Sequence, residues 1–336
     1  MKIKSLIPGI LLCLIIALPA WLLGKSLPII GAPVFGILLG MIITLIVSGK
    51  SGKFEHGIKF TSKKILQYSI ILLGFEMNLF NVLKVGRQSL YIIIFTITAS
   101  FITALIAGRL LKLHGKMTTL IAVGTSICGG SAIAATAPVI QAEDEDVAHA
   151  ISTIFLFNII AVFIFPMLGR ALGMSDIGFG MWAGTAINDT SSVVAAGAAW
   201  SSAVGNNTAL TFATIVKLTR TLMIVPITLT LALYTAGKSR SGEGNTFKFS
   251  KVFPWFVLWF LLVAVINTFA GINPGISHVL VETGKYMITM AMAAIGLNTN
   301  IVKLLKNGVK PILLGLCCWF AVASVSIAVQ LAMHIW

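Results

Sequence analysis

Charged residues are scarce in this sequence. Only 10% of its 336 residues are Asp, Glu, Lys or Arg, whereas 57% are hydrophobic, and the mean hydropathy is +0.99. A soluble domain of this length carries about 25% charged residues to cover its surface. The composition therefore excludes a water-soluble enzyme and indicates a chain that is solvated by lipid.

Catalytic and cofactor motifs are also missing. The four cysteines lie in apolar or glycine-rich segments without ligand spacing, and no zinc, phosphate-loop, nucleophile-elbow or dinucleotide motif occurs. Ser131 or Ser191 would need a well-placed His or Lys base to act as a nucleophile. We therefore expect no enzyme activity, no metal and no cofactor apart from a coupling ion, Na⁺ or H⁺.

Long apolar stretches make up most of the chain. A bilayer core of about 30 Å requires roughly 20 apolar residues in a helix. The runs are continuous rather than alternating, which favours helices over a barrel. The sequence predicts an all-α membrane protein with about eleven transmembrane helices, and the predicted spans are 6–24, 31–48, 62–83, 89–108, 118–140, 148–169, 180–200, 208–236, 252–270, 279–302 and 311–333.

Basic residues are distributed asymmetrically among the loops. Most of the 24 lysines and arginines fall on alternate loops, which predicts a cytoplasmic N-terminus and an outward C-terminus in a bacterial inner membrane. This distribution explains the net charge of +14 without a nucleic-acid partner. The acidic run at 143–146 is then outside, either as a solvated loop or as a cation-attracting mouth.

An internal repeat relates residues 56–86 to residues 278–308. In this register His56 aligns with His278, Gly74 with Gly296 and Asn78 with Asn300. The matched helices are the third and tenth of the predicted spans, so they cross the membrane in opposite directions. Such inverted repeats are typical of secondary transporters. The alternative is that the two helices share only capping and packing habits.

Two glycine- and serine-rich segments interrupt the apolar spans. Residues 124–131 (GTSICGGS) resemble residues 184–191 (GTAINDTS). Runs of small polar residues are poor in a continuous helix but suit broken helices that aim main-chain groups at a ligand. Close small-residue packing is the alternative. The predicted topology orients both segments alike, so either one is re-entrant or they are not symmetry mates.

Charged residues within the spans are expensive and therefore indicate function. Asp189 lies in the second segment, where it could bind a coupling ion or cap the following half-helix. Lys217 and Arg220 share one face of a helix, so their two positive charges need a neutralising anion. That partner is Asp189, Glu76 or an anionic substrate. Glu76 itself belongs either to a site or to a polar seam between helices.

The strings at 124–135, 184–196, 217–220 and 296–300 resemble those of the bacterial YeiH-like sulfate exporter family, and the resemblance covers essentially the whole chain. The family is grouped with the cation/proton antiporter and bile-acid symporter-like superfamily. The resemblance implies two inverted repeats, a core domain with crossed broken helices and a panel domain. It places the crossed segments at 125–131 and 188–192.

The sequence thus predicts a single transporter unit over residues 1–336, in contact with lipid and with a homodimer as one allowed assembly. The predicted activity is export of a small anion, sulfate or an organic sulfonate, coupled to H⁺ or Na⁺. The alternatives are a monovalent cation/proton antiporter and a receptor-like scaffold, although a scaffold would not need charge at mid-span. The residues assigned to the substrate are Thr125, Ser126, Gly129, Gly130, Ser131, Asn188, Thr190, Ser191, Ser192, Lys217 and Arg220, and those assigned to the coupling ion are Asp189 and Glu76.

Overall fold

The computed structural model describes residues 5–27, 32–47, 51–238, 255–270, 272–299 and 308–336, and these ranges contain no β-strand. Five helices in them are long and apolar enough to cross a membrane, at Ile7–Ser26, Leu79–Leu110, Glu145–Ala171, Thr208–Leu231 and Val309–Ala332. The prediction of a multi-pass, all-helical membrane protein is confirmed.

The described helices are numbered here in chain order. They are α1 (Ile7–Ser26), α2 (Ala32–Val47), α3 (Glu55–Phe60), α4 (Leu66–Leu73), α5 (Leu79–Leu110), α6 (Gly115–Ser126), α7 (Gly130–Thr136), α8 (Asp144–Ala171), α9 (Asp176–Ala186), α10 (Thr190–Val204), α11 (Thr208–Leu222), α12 (Ile224–Lys238), α13 (Trp255–Phe269), α14 (Pro274–Asn298) and α15 (Val309–Ala332). A π-helical turn (Thr61–Ile65) joins α3 to α4, and a 3₁₀ turn (Gly74–Glu76) follows α4.

The boundary between the third and fourth predicted spans was wrong. We expected a loop at 84–88, but the chain turns at Met77 and Asn78 and is already helical from Leu79. The Asn78 side chain accepts a hydrogen bond from the Phe80 amide at 2.9 Å, as an N-cap does. The N-cap stabilises a helical start at this position, although the basic residues Lys84 and Arg87 follow within the first turns.

The acidic run at 143–146 is not a loop. Glu143 is the N-cap residue of α8, and the next three residues form the first turn of that helix. Acidic residues at this position interact favourably with the helix dipole. Asp146 is buried, and its carboxylate lies 3.1 Å from His114 Nε2 at the start of α6.

All the numbered helices except α12 pack in two groups. The first helix group contains α1–α4, α13 and α14, in which α14 packs along α2 and α4. The second helix group contains α5–α11 and α15, in which α11 packs against α9 and α10, and α15 against α5. Helix α10 also touches α2 and α14, so it lies where the two groups meet.

Backbone contact joins α2 to α14 within the first group. A Cβ atom on Gly40 would lie 2.4 Å from the Ala293 carbonyl oxygen, and one on Gly296 would lie 2.3 Å from the Ile37 carbonyl oxygen. Neither position has room for a larger residue. Small residues that allow such close approach are typical of helix pairs in membranes.

The proposed repeat falls partly on residues that the structure does not describe. Its first copy, 56–86, is described throughout, whereas 300–307 of the second copy lie outside the described residues. The rotation relating 56–86 to 278–308 therefore stays a prediction, as do the count of eleven spans and the division into core and panel domains.

Candidate functional site

The first glycine-rich segment contains a gap between two helices. Helix α6 ends at Ser126 and α7 begins at Gly130, so residues 127–129 form the first break. Gly129 has φ +66°, a conformation that side chains rarely adopt. A Cβ atom there would lie 3.3 Å from Asp189 Cβ, which shows that the first break contacts the second segment.

The second segment contains a matching gap. Helix α9 ends at Ala186 and α10 begins at Thr190, so residues 187–189 form the second break. Asp189 is the N-cap of α10, because its carboxylate accepts the Ser191 amide at 3.0 Å and also the Ser191 hydroxyl. The Asp189 amide in turn donates to Asn158 Oδ1 of α8 at 3.1 Å. Capping fixes the carboxylate at the junction of the two breaks.

Lys217 joins the two breaks. It projects from α11, is fully buried, and donates from its ammonium to the Ile127 carbonyl of the first break at 2.8 Å. The same ammonium donates to the Ile187 carbonyl of the second break at 3.1 Å and to the Asn188 carbonyl. These carbonyls follow the ends of α6 and α9, where the main chain has no helical partner and the dipole is negative.

Arg220 lies about one turn further along α11, and its hydrogen bonds are to the second break and the end of α9. Its guanidinium is fully buried and donates to the carbonyls of Thr185 and Ile187, with a longer bond of 3.3 Å to the Asn188 carbonyl. Among the described residues, no carboxylate lies within 4.0 Å of either buried cation. The predicted ion pairs of these cations with Asp189 or Glu76 are therefore not formed in this structure.

Several buried polar atoms around the breaks have no hydrogen-bond partner. They are Thr125 Oγ1, both polar side-chain atoms of Asn188, Asn158 Nδ2 and Arg220 Nε, and each of these residues is at most 3% exposed. Buried polar groups in folded proteins are nearly always paired, so a group of unpaired ones needs an explanation. A polar ligand that binds between the breaks would satisfy them.

Comparison with known proteins shows which family the chain belongs to. The family model "Conserved hypothetical protein 698" matches residues 8–315. The UPF0324 membrane protein spyM18_1033 of Streptococcus pyogenes is 55% identical over 98% of both chains, and the UPF0324 membrane protein FN0533 of Fusobacterium nucleatum is 51% identical over 96% of both. The chain belongs to the UPF0324 membrane protein family. No solved structure matches it.

Membership in the UPF0324 family confirms the resemblance to the YeiH-like proteins and agrees with a membrane transporter. The structure also shows how deeply other predicted site residues of this UPF0324 chain are buried. Ser126, Thr190 and Ser192 are buried beside the breaks, whereas Gly130 is partly buried and Ser131 is exposed. No set of three or more His, Cys, Asp or Glu side chains in the described ranges is arranged to hold a metal ion.

Glu76 is not brought to the breaks. It is exposed at the end of the 3₁₀ turn after α4, and its carboxylate accepts the Asn207 amide nitrogen at 2.6 Å. Asn207 lies between α10 and α11, so the bond joins the two helix groups. This contact agrees with a polar seam between helices. The role of Glu76 in binding a coupling ion stays a prediction.

Asn158 is a site residue that the sequence analysis missed. It lies within the long apolar helix α8, far in sequence from both breaks, and reaches Asp189 only in the folded chain. Its side-chain amide would also lie 3.6 Å from a Cβ atom on Gly129. The available signal was an isolated amide in an apolar span, where polar groups are costly and usually functional.

Proposed function

We propose that this protein is a secondary transporter that exports a small oxyanion, sulfate or an organic sulfonate, together with protons. The observation that carries the proposal is the pair of fully buried cations, Lys217 and Arg220, without a carboxylate in salt-bridge contact among the described residues. Two buried positive charges are unfavourable unless negative charge offsets them.

The charges at the junction support the binding of an anion. The carbonyl ends of α6 and α9 each supply about half a negative charge, and the amide ends of α7 and α10 at the same breaks each supply about half a positive charge, so the four helix ends nearly cancel. When Asp189 is ionised, it offsets one of the two cations, and an excess of about one positive charge remains. When Asp189 is protonated, the excess is about two positive charges. An oxyanion would neutralise that excess and bind the unpaired amide of Asn188 and hydroxyl of Thr125.

Proton and anion binding are then linked. Each favours the other, because protonation of Asp189 removes the negative charge that repels the anion. A proton that moves with sulfate leaves one net negative charge, whereas a proton that moves with a monovalent sulfonate leaves none. A membrane potential that is negative inside drives one negative charge outward, by about 2.3 kcal/mol per 100 mV. For sulfate, this supports export.

A cation/proton antiporter is the second candidate, because Asp189 is a carboxylate at the junction of the breaks. A cation bound there would lie close to Lys217 and Arg220, which both donate to the carbonyl of the preceding residue, Asn188. Like charges within a few ångströms repel strongly in a medium of low dielectric constant. The charge balance therefore favours an anion.

Transport by the full chain in proteoliposomes tests the proposal. Radiolabelled sulfate and a panel of sulfonates are loaded, and efflux is measured under imposed pH and Na⁺ gradients. We expect anion efflux that acidification of the anion-containing side accelerates, and we expect Asp189→Asn to transport without this pH dependence. Dissipation of a pH gradient by Na⁺ or K⁺ without any anion would instead identify an antiporter. Absence of flux for the whole panel would contradict anion export.

A further inference from the structure

A cavity of about 280 Å³ lies where the two helix groups meet. One wall is the end of α10 and the segment after it, with Ser201, Ser202 and Asn207, and the other wall includes Trp21 of α1 and Lys285 of α14. Helix α10 begins at the second break and ends at this cavity. From its first residue to Ser202, at a rise of 1.5 Å per residue, it covers about 18 Å.

The cavity lining contains hydrogen-bond donors that are still available to a ligand. Lys285 donates one of its three ammonium protons to Glu282 at 2.6 Å, which leaves two. Ser201 Oγ accepts the Leu210 amide at 3.1 Å, so its own hydroxyl proton is available to donate. None of the residues that line the cavity is acidic, although the two asparagine side chains in the lining already donate to carboxylates outside it. One ammonium group and a free hydroxyl in a lining without carboxylates suit an oxyanion better than a cation.

We propose that this cavity is a second oxyanion site, to which the transported anion moves from the helix breaks, and that Lys285 supplies its charge. The inference rests on the proposed function for the identity of the ligand. The volume is slightly below the range of drug-binding pockets, which begins near about 300 Å³, and so fits an anion of a few heavy atoms. A site between two helix groups is also a common place for a small ligand.

The ion pair with Glu282 is compatible with this role. The side chain of Lys285 is 21% exposed and that of Glu282 is 39% exposed, so the carboxylate is the more hydrated partner. Glu282 precedes Lys285 by less than one turn of α14, and such a pair holds the lysine in place at a gain of only a few tenths of a kcal/mol. An arriving oxyanion competes with that weak contact.

Thiol modification at Ser202 tests the inference without relying on flux. Cys317 is the exposed native cysteine, so Cys317→Ser provides the background for Ser202→Cys. In purified full-length protein, we expect a negatively charged methanethiosulfonate to react faster than a positively charged one of similar size. Sodium sulfate should slow the reaction, whereas sodium chloride at equal ionic strength should not.

Lys285→Gln should lower the ratio of anionic to cationic labelling rates by about tenfold, the lower end of electrostatic focusing in a cleft. Lys285→Arg should keep the ratio, which excludes misfolding as the cause of the change. Lys59→Gln is the matched control, because Lys59 forms an equally short 2.6 Å pair with Glu55 on an exposed surface. An unchanged ratio in Lys285→Gln, no labelling of Ser202→Cys or no sulfate protection would each overturn the inference.

The failure of this inference is distinguishable from failure of the proposed function. Sulfate efflux without sulfate protection at Ser202→Cys would overturn the cavity site and leave export by the breaks standing. Protection that depends on Lys285 without any efflux would support the cavity as an oxyanion site and overturn transport of that anion.

Discussion

Asn188 is the residue at which structure and function are most easily separated. Both polar atoms of its buried side chain are unpaired, so Asn188→Leu removes no side-chain hydrogen bond. Relief of an unpaired buried amide is worth about 1–3 kcal/mol, so this variant should be as stable as the parent or more stable. Anion transport should nevertheless fall at least about tenfold, because one ligand hydrogen bond is lost. Thermal unfolding in detergent and efflux from proteoliposomes measure the two effects.

Thr125→Val extends the same test, since Thr125 Oγ1 is buried and unpaired. The control is Thr228→Val, where the hydroxyl donates to the Ile224 carbonyl within α12. We expect the control to transport normally. Normal transport by both Asn188→Leu and Thr125→Val would contradict a binding site at the breaks.

Gly129 and Gly130 are adjacent glycines with opposite requirements. Gly129 has φ +66°, and an added Cβ atom would lie 3.3 Å from Asp189 Cβ, so Gly129→Ala should be destabilised by about 1–3 kcal/mol. Gly130 begins α7, and its added Cβ atom would meet Phe155 at an ordinary 3.5 Å. Gly130→Ala should therefore keep the parent melting temperature. Equal melting temperatures for the two variants would show that the first break does not need glycine.

At the scale of the helix, the basic side chains of α11 stabilise the ends of other helices. Arg220→Ala leaves the Thr185 carbonyl buried without its side-chain donor, at about 1–3 kcal/mol, and leaves the Ile187 carbonyl with only the Lys217 ammonium as its side-chain donor. Arg220→Lys keeps the charge but loses the two-point fork, so its loss should be intermediate. Thermal unfolding measures this order. Arg87→Ala, at an exposed position of α5, should behave like the parent protein.

A different order of stability would change the role of Arg220. If Arg220→Ala unfolds at the parent temperature but loses anion transport, the guanidinium binds substrate directly, as the sequence analysis predicts. If stability and transport fall together and Arg220→Lys partly restores both, Arg220 positions the second break. The structure supports the second role, because the terminal nitrogens of Arg220 donate to main-chain carbonyls.

Much of the site could be predicted from the sequence because its residues are of types that are rare in apolar membrane spans. Runs of Gly, Ser and Thr within apolar spans indicated where α6 and α9 end, and charge at mid-span indicated Lys217 and Arg220. The partners of those cations could not be predicted, since main-chain carbonyls are present in every residue and carry no sequence signal. The helical start at Leu79 was missed because local apolarity, rather than the cap at Asn78, was used to define the span.

At the scale of the molecule, the orientation in the membrane is testable at two exposed side chains. Glu145 near the start of α8 is 83% exposed and is predicted to lie outside, whereas Lys59 in α3 is 65% exposed and is predicted to lie in the cytoplasm. In the Cys317→Ser background, Glu145→Cys should react with an impermeant thiol reagent in intact cells. Lys59→Cys should react only after permeabilisation. The reverse pattern would invert the predicted topology.

The ammonium of Lys217 restricts how the molecule can move. It holds the Ile127 carbonyl of one break and the Ile187 carbonyl of the other at once. Pulling the breaks apart would remove at least one hydrogen bond from this buried ammonium, and lost hydrogen bonds to a buried charge are costly. We therefore expect α6, α7, α9, α10 and α11 to move as one rigid body, with sliding at the surface between the two helix groups, which includes the contacts of α10 with α2 and α14 and of α5 with α13. Lys217 would then keep the two breaks at a fixed distance from each other while the helix group that carries them moves.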